Sequence, residues 1–193
     1  MTELINGEVK QLTNKGAIDF DVYIEKNYLK TGALLAHGLK AISELSPSFK
    51  DMNNASNLKL HNDIFEFGKN VGIAFQIVDD CLDFTVDDIT SGKPSQGADM
   101  KLGLATAPVL FAAEESRVLR KIMKREFREE GDVLNTLQIV KNLKGVEKSQ
   151  KLAREYVDKG VEHLEKHKDS FEGGDAEWRE VVDLIEYVLN RNR

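Results

Sequence analysis

Residues 72–84 place three carboxylates inside an otherwise apolar segment, Gly-Ile-Ala-Phe-Gln-Ile-Val-Asp-Asp-Cys-Leu-Asp-Phe. The carboxylates belong to Asp79, Asp80 and Asp83. Positions 72, 76, 79, 80 and 83 follow the spacing of one helical face, so Gln76 and the aspartates should face one space. Clustered carboxylates repel one another without a cation, and Mg²⁺ binds few carboxylates and keeps waters or phosphates. The segment predicts a helix that binds Mg²⁺ together with an anionic ligand.

A glycine- and proline-containing basic loop is predicted about ten residues further on, at residues 92–99, with Lys93 as its only lysine. A lysine on a loop beside a metal-binding helix can add positive charge to the phosphate that the metal contacts. The helix and the loop together predict diphosphate chemistry. The acidic run taken alone is equally typical of a solvated helix face, and Lys30 taken alone would be an ordinary surface lysine.

Helical periodicity covers nearly the whole chain, and no alternating strand pattern competes with it. Helices are predicted over Thr2–Asn14, Phe20–Leu45, Leu58–Thr85, Thr106–Glu130, Val133–Leu143, Val146–His167 and Ala176–Asn190. Turn signals fall at residues 46–57, at 92–97, at Gly131, at Gly145 and at Gly173–Gly174. A chain of 193 residues with 41% hydrophobic content can bury one core, so a single all-α domain is predicted.

Charge and composition exclude several classes of protein. The formal charge of −6 and the absence of a basic face argue against a nucleic-acid surface. Cys81, the one cysteine, is expected to be a small buried side chain. No apolar run reaches the roughly 18 residues that cross a bilayer, and no targeting segment is recognised.

Four motifs in order resemble trans-type polyprenyl diphosphate synthases, most of all the long-chain enzymes of ubiquinone side chains such as hexaprenyl diphosphate synthases. The motifs are Gly7-Glu8-Val9-Lys10-Gln11, Lys30-Thr31, Phe75-Gln76 followed by Asp79-Asp80 and Asp83, and Gly92-Lys93-Pro94 followed by residues 98–108. The resemblance extends from about Leu4 to Glu115. It implies an isoprenoid-synthase-type helical bundle around a central cavity.

The activity implied by this resemblance is the Mg²⁺-dependent condensation of an allylic diphosphate with isopentenyl diphosphate. The resemblance gives Asp79, Asp80 and Asp83 as metal ligands. Lys30, Thr31, Gln76 and Lys93 are given as catalytic and substrate-binding residues, and Phe75 as a further substrate-binding residue. It also implies a homodimer, a mitochondrial location with the cytoplasm as the alternative, and peripheral membrane contact during product release.

One departure from the family pattern shapes these expectations. The family has two aspartate-rich motifs on facing helices, and this chain has only the second; neither Asp87–Asp88 nor Glu129–Glu130 lies in an apolar helical frame that could replace the first. Residues 1–193 are therefore expected to form the C-terminal portion of one synthase domain, incomplete at its N-terminus and inactive alone. A non-catalytic or regulatory subunit of a heteromeric synthase is the alternative, and a terpene cyclase is disfavoured by Lys30-Thr31 and the Gly-Lys-Pro loop.

Two smaller features complete the predictions. His163 and His167 are spaced to share a zinc ion, but their charged surroundings favour a plain surface helix. His37 and His61 receive no role. Small residues follow Lys30-Thr31, and glycine inside a helix is costly unless close packing or substrate clearance rewards it, so a cavity or a helix contact is expected there. These small residues are Gly32, Ala33, Ala36 and Gly38.

Overall fold

The computed structural model describes residues 19–49, 51, 53–84, 97–168 and 174–190. Every regular element within these ranges is helical, which confirms the predicted all-α class. The elements are α1 (Phe20–Asn27), a π-helical segment (Tyr28–Gly32), α2 (Ala33–Leu45), α3 (Ala55–Leu82), α4 (Ala98–Lys101), α5 (Ala107–Glu115), α6 (Arg117–Lys124), α7 (Asp132–Asn142), α8 (Gly145–Glu165) and α9 (Asp175–Asn190). The predicted helix Thr2–Asn14 lies outside the described residues.

Helix α3 is the centre of the fold and packs against both α2 and α8. Several apolar side chains in its C-terminal half are almost wholly removed from water, and burial of one the size of valine or isoleucine contributes about 1.5–3 kcal/mol. Helix α5 is buried around most of its circumference, which explains why its sequence is apolar without a polar face. The α3 side chains concerned are Ile73, Ala74, Ile77, Val78 and Cys81. The prediction for Cys81 is thus confirmed, and burial raises the pKa of its thiol to about 12.

Glycines allow the backbone of α3 to approach the π segment and α2 closely. A Cβ atom built on Gly72 would lie 2.6 Å from the Cα atom of Gly32, and one on Gly68 would lie 2.9 Å from the carbonyl oxygen of Leu35. Real Cβ atoms do not approach backbone atoms this closely, so larger residues would push the helices apart. The small residues after Thr31 therefore serve a helix contact rather than a cavity, except that Gly38 meets nothing within 4 Å.

The predicted helix Phe20–Leu45 has the expected extent but changes type in its middle. Between α1 and α2, the N–H of Ala33 donates to the carbonyl oxygen of Tyr28, five residues earlier, as in a π-helix. Lys30 and Thr31 lie inside this segment. The Asp19 side chain accepts from the N–H of Asp21 at 2.8 Å and so fixes the start of α1.

The single helix predicted over Thr106–Glu130 is wrong, because the structure divides it at Ser116 into α5 and α6. The Ser116 hydroxyl accepts from the N–H of Leu119 at 3.1 Å and thereby caps α6. Arg120 donates from Nη1 to the carbonyl oxygen of Ala113 at 2.8 Å, which satisfies an acceptor at the end of α5. Helix α6 then ends at Lys124, short of the predicted limit.

The turn predicted at Gly145 is displaced by one residue. Lys144 takes the left-handed conformation, with φ of 55°, and Gly145 begins α8. A Cβ atom at position 145 would lie only 2.3 Å from the carbonyl oxygen of Pro108. The glycine is thus required by the packing of α8 against α5, not by the turn itself.

Helix α2 leaves part of its apolar surface uncovered by the described residues. Leu34, Ile42 and Leu45 are 74%, 69% and 81% exposed. Their spacing of eight and three residues places them on one face. Across the described residues, no helix combines the length and the apolar character needed to span a bilayer.

Candidate functional site

A pocket of about 200 Å³ lies where the C-terminal turns of α3 meet α1 and the π segment. The acidic lining comes mainly from α3, and the basic lining, Lys26 and Lys30, comes from α1 and the π segment. The predicted helical face is therefore borne out for four of its five positions, since Gly72 instead contacts Gly32. The lining residues are Lys26, Asn27, Lys30, Gln76, Asp79, Asp80, Asp83, Ala98, Asp99, Leu104 and Thr106.

A chain of hydrogen bonds holds the Asp80 carboxylate at the base of the acidic wall. Tyr23 Oη donates to Asp80 Oδ2 at 2.7 Å, and Gln76 Nε2 donates to Asp80 Oδ1 at 3.0 Å. Thr31 Oγ1 in turn donates to Gln76 Oε1 at 2.9 Å. Because an ionised carboxylate can only accept hydrogen bonds, the Gln76 NH₂ group faces Asp80 and its oxygen faces the Thr31 hydroxyl. The helix contact at Gly72 is what brings Thr31 within reach of Gln76.

Burial destabilises the charged form of the Asp80 carboxylate. The residue is only 5% exposed, and burial raises the pKa of its carboxyl to about 6, although Lys26 and the donors Tyr23 and Gln76 act in the opposite direction. Burial and the Asp80 charge together raise the pKa of Tyr23 well above its usual value, so Tyr23 stays a neutral donor. Two neutral donors and one lysine thus leave the Asp80 charge incompletely balanced, and a cation would complete the balance.

The remaining acidic groups are more open to solvent. Asp79 is exposed at the pocket, and Asp83 is half-buried beyond it. Asp83 Oδ2 accepts from the backbone N–H of Asp99 at 3.3 Å. Burial raises the pKa of Asp83, and the charges of Asp99 and Asp79 raise it further while that backbone hydrogen bond lowers it. Asp99 therefore belongs to the same acidic wall although it lies on α4.

These residues fit Mg²⁺ as a partner of a bound anion. Among the described residues, no three His, Cys, Asp or Glu side chains converge closely enough to chelate a metal ion by themselves. Mg²⁺ does not need such a cage, because it commonly binds one or two carboxylates and fills its octahedral shell with waters and phosphate oxygens. Exposed Asp79 and half-buried Asp83 can supply those carboxylates, and the lysine wall would accept the anion.

The structure distributes the other predicted site residues over several positions. Lys30 lies in the pocket wall, whereas Thr31 contacts the pocket only through Gln76 and Phe75 lies half-buried on α3 outside the lining. Lys93 and the 7–11 motif lie outside the described residues. Sequence reasoning gave no site role to the pocket residues Lys26, Asn27, Asp99 and Thr106. Lys26 could have been found, because it lies four residues before Lys30 on the same helical face.

The plain surface helix expected around His163 and His167 is wrong. His163 Nδ1 and His167 Nε2 lie 2.8 Å from Asp63 Oδ1 and Oδ2, respectively. The two histidines therefore tie α8 to the start of α3 through a buried carboxylate. His61 also has a structural role, since its Nδ1 lies 2.8 Å from Ser43 Oγ and its Nε2 3.1 Å from the Phe49 carbonyl oxygen.

The chain belongs to the polyprenyl synthetase family, whose model matches residues 1–140. A mitochondrial hexaprenyl pyrophosphate synthase of Saccharomyces cerevisiae is 43% identical over 175 residues, which are 90% of this chain and 34% of that protein. The chain thus spans about a third of that relative's length.

Solved structures agree with the family and the fold. The apo form of an Arabidopsis medium/long-chain length prenyl pyrophosphate synthase is 30% identical with a TM-score of 0.82, covering 100% of this chain and 62% of that one. A polyprenyl synthase from Caulobacter crescentus CB15, solved with calcium and isoprenyl diphosphate, is 26% identical with a TM-score of 0.74. The match covers 100% of this chain and 56% of that one.

Proposed function

We propose that the chain supplies the second metal-binding half of a trans-type polyprenyl diphosphate synthase. The reaction condenses an allylic diphosphate with isopentenyl diphosphate into a long-chain polyprenyl diphosphate, which would serve ubiquinone synthesis. Its chemistry requires the allylic carbon–oxygen bond to break, so that pyrophosphate leaves with the electron pair. The double bond of isopentenyl diphosphate then attacks the allylic cation, and a proton is lost.

The single observation that carries this proposal is that side chains of opposite charge line one pocket. Asp79, Asp80 and Asp83 of α3 share a pocket of about 200 Å³ with Lys26 and Lys30. Neutral and hydrophobic substrates would leave both sets of charges unused, whereas a diphosphate with a divalent cation matches both walls. The family assignment and the relatives named as prenyl diphosphate synthases support the same reaction.

Each residue has a role that follows from its position. Asp79 and Asp83 would hold Mg²⁺, with Asp80 completing the negative charge of the wall. Bound Mg²⁺ would stabilise the negative charge that grows on the leaving pyrophosphate. Lys30 would bind the diphosphate, and Gln76 would be oriented for this by Thr31. Lys93, which lies outside the described residues, is proposed as a second diphosphate-binding residue from the family resemblance alone. Phe75 remains a proposed substrate-binding residue through the hydrocarbon part of the substrate.

Residues 1–193 are proposed to be the C-terminal portion of one synthase domain. The length comparison supports this, since the matched relatives are longer and the exposed leucine-rich face of α2 needs a cover. We therefore expect the 193-residue chain to be inactive alone. A homodimer is proposed from the family resemblance, and a mitochondrial setting is supported by the location in the name of the yeast relative. A regulatory subunit of a heteromeric synthase is the alternative favoured by the single aspartate-rich motif.

Incorporation of labelled isopentenyl diphosphate into extractable polyprenyl product tests the proposal. The intact polypeptide that contains these residues should incorporate label only with Mg²⁺, and Asp79→Ala should abolish it. Full turnover by Asp79→Ala would sink the enzymatic proposal. Copurification of a partner that carries the first aspartate-rich motif, together with no activity of the intact chain alone, would instead establish the regulatory-subunit alternative.

A further inference from the structure

Asn27 is the one pocket residue whose side chain is both fully buried and without a hydrogen bond. It is 0% exposed, and neither Nδ2 nor Oδ1 has a hydrogen-bond partner within 3.5 Å among the described residues, although the amide lies close enough to the Tyr23 hydroxyl to act toward a lower pKa of that phenol. A buried amide left in this state lowers the stability of the fold, because its hydration is lost and nothing replaces it. Native structures seldom retain such a cost without a compensating use. The position of Asn27 in the pocket wall suggests where that use lies.

The neighbours of Asn27 decide what it would bind. It lies between Lys26 and Lys30 in the sequence, and all three residues line the same pocket as the aspartates. An anion entering this side would meet two ammonium groups, and a third cation there would add repulsion and desolvation cost. A carboxamide supplies hydrogen-bond donors without charge. Its χ2 torsion is soft, so the amide can turn toward a ligand at small cost.

We infer that Asn27 is a diphosphate-binding residue, which donates from Nδ2 to a phosphate oxygen held between Lys26 and Lys30. This deepens the proposed function and rests on it. The alternative use of the amide is to offer Oδ1 to the metal ion. The two lysines that line the pocket with Asn27 disfavour that use, because their charges attract an anion and repel a cation.

Isothermal titration of the intact polypeptide that contains these residues with inorganic pyrophosphate, at fixed Mg²⁺ concentration, tests this inference. Asn27→Leu keeps the approximate shape and removes the donors. Its affinity for pyrophosphate should fall about tenfold, the usual worth of one hydrogen bond to a charged group. Its melting temperature should be unchanged or higher, because the unpaired buried amide is gone. Titration with MgCl₂ alone should give the wild-type affinity.

Thr136→Val is the matched control. Thr136 Oγ1 is the other buried polar side-chain group without a partner among the described residues, and Thr136 does not line the pocket. Valine removes its hydroxyl at nearly constant shape. This variant should also be at least as stable as the wild type, but it should bind pyrophosphate with unchanged affinity. The pair thus separates loss of an unpaired buried group from loss of a ligand contact.

Asn27→Asp gives a second readout that does not depend on how leucine packs. A carboxylate at position 27 removes the donors and repels an anion, so pyrophosphate affinity should fall more than in Asn27→Leu. Wild-type pyrophosphate affinity in both Asn27 variants would overturn the inference and leave the proposed function intact. Tighter Mg²⁺ binding by Asn27→Asp with unchanged pyrophosphate affinity would also overturn it. A wild-type chain that binds no pyrophosphate would overturn both the inference and the diphosphate site.

Discussion

Two buried aspartates on the same helix, Asp63 and Asp80, have opposite electrostatic surroundings. Burial acts to raise the pKa of Asp63, but hydrogen bonds with His163 and His167 and the nearby charge of Lys166 reverse it, so the pKa is lowered. Burial raises the pKa of Asp80 to about 6 despite its two neutral donors and Lys26. The Asp63 end of α3 is thus electrostatically complete within the described residues. The Asp80 end is incomplete, as expected of a site that receives a cation.

The largest expected difference between the two aspartates is in catalysis. In the intact synthase, Asp80→Asn should reduce incorporation of labelled isopentenyl diphosphate by about 10²- to 10³-fold, because it removes charge from the metal-binding wall. Asp63→Asn should stay within about twofold of the wild type when both are measured well below their melting temperatures. Equal losses in the two variants would show that both carboxylates are structural.

The second difference is in the pH dependence of stability without metal. A folded-state pKa near 6, above the unfolded value, means that the unfolded state releases its proton first. Ionisation of Asp80 therefore destabilises the folded state. This destabilisation is absent below about pH 4, and it lowers the free energy of unfolding by up to about 3 kcal/mol as pH rises through 6. Urea unfolding of the chain at pH 4 to 7.5 should show this decline. The same series on Asp80→Asn should lack it.

Asp63 should give the opposite pH dependence of the free energy of unfolding, with a smaller amplitude. Its lowered folded-state pKa means that its contribution is present above about pH 4 and is lost as pH falls through the folded-state pKa. Asp63→Asn should lower the free energy of unfolding at pH 7 by about 2 kcal/mol, the worth of hydrogen bonds to a charged acceptor. If the variant had the same free energy of unfolding as the wild type, the hydrogen bonds from His163 and His167 to Asp63 would contribute nothing to stability.

The smallest effects belong to the individual histidines. His163→Gln and His167→Gln should each cost about 1 kcal/mol, with the larger loss at His167, whose side chain is 14% exposed against 32% for His163. Combined with Asp63→Asn, each should cost less than the sum of the single changes, because the contact is already gone. Strictly additive losses in a double-mutant cycle would show that the histidines act independently of Asp63.

Periodicity predicted the all-α class, the central helix α3 and the shared face of Gln76 with the aspartates, because these depend on local spacing. It did not predict the break at Ser116, where a serine hydroxyl caps the start of a new helix inside a continuous helical pattern. The link between His163 and Asp63 spans 100 residues, and no local rule contains it. Asn27 was missed for a similar reason, since an unpaired buried amide can be recognised only once its neighbours are known.

The π segment gives α1 a different rotational phase from α2. Each residue of an α-helix advances the chain by about 100° around the axis, so widening one turn at Tyr28–Gly32 offsets everything before it. Deleting one residue from the π segment would give a regular α-helix throughout, with α2 still packed against Gly68 of α3. Tyr23 and Asn27 would then swing away from Asp80. The continuous helix formed by α1, the π segment and α2 can therefore pack one face of α2 against α3 while a different face of α1 lines the pocket.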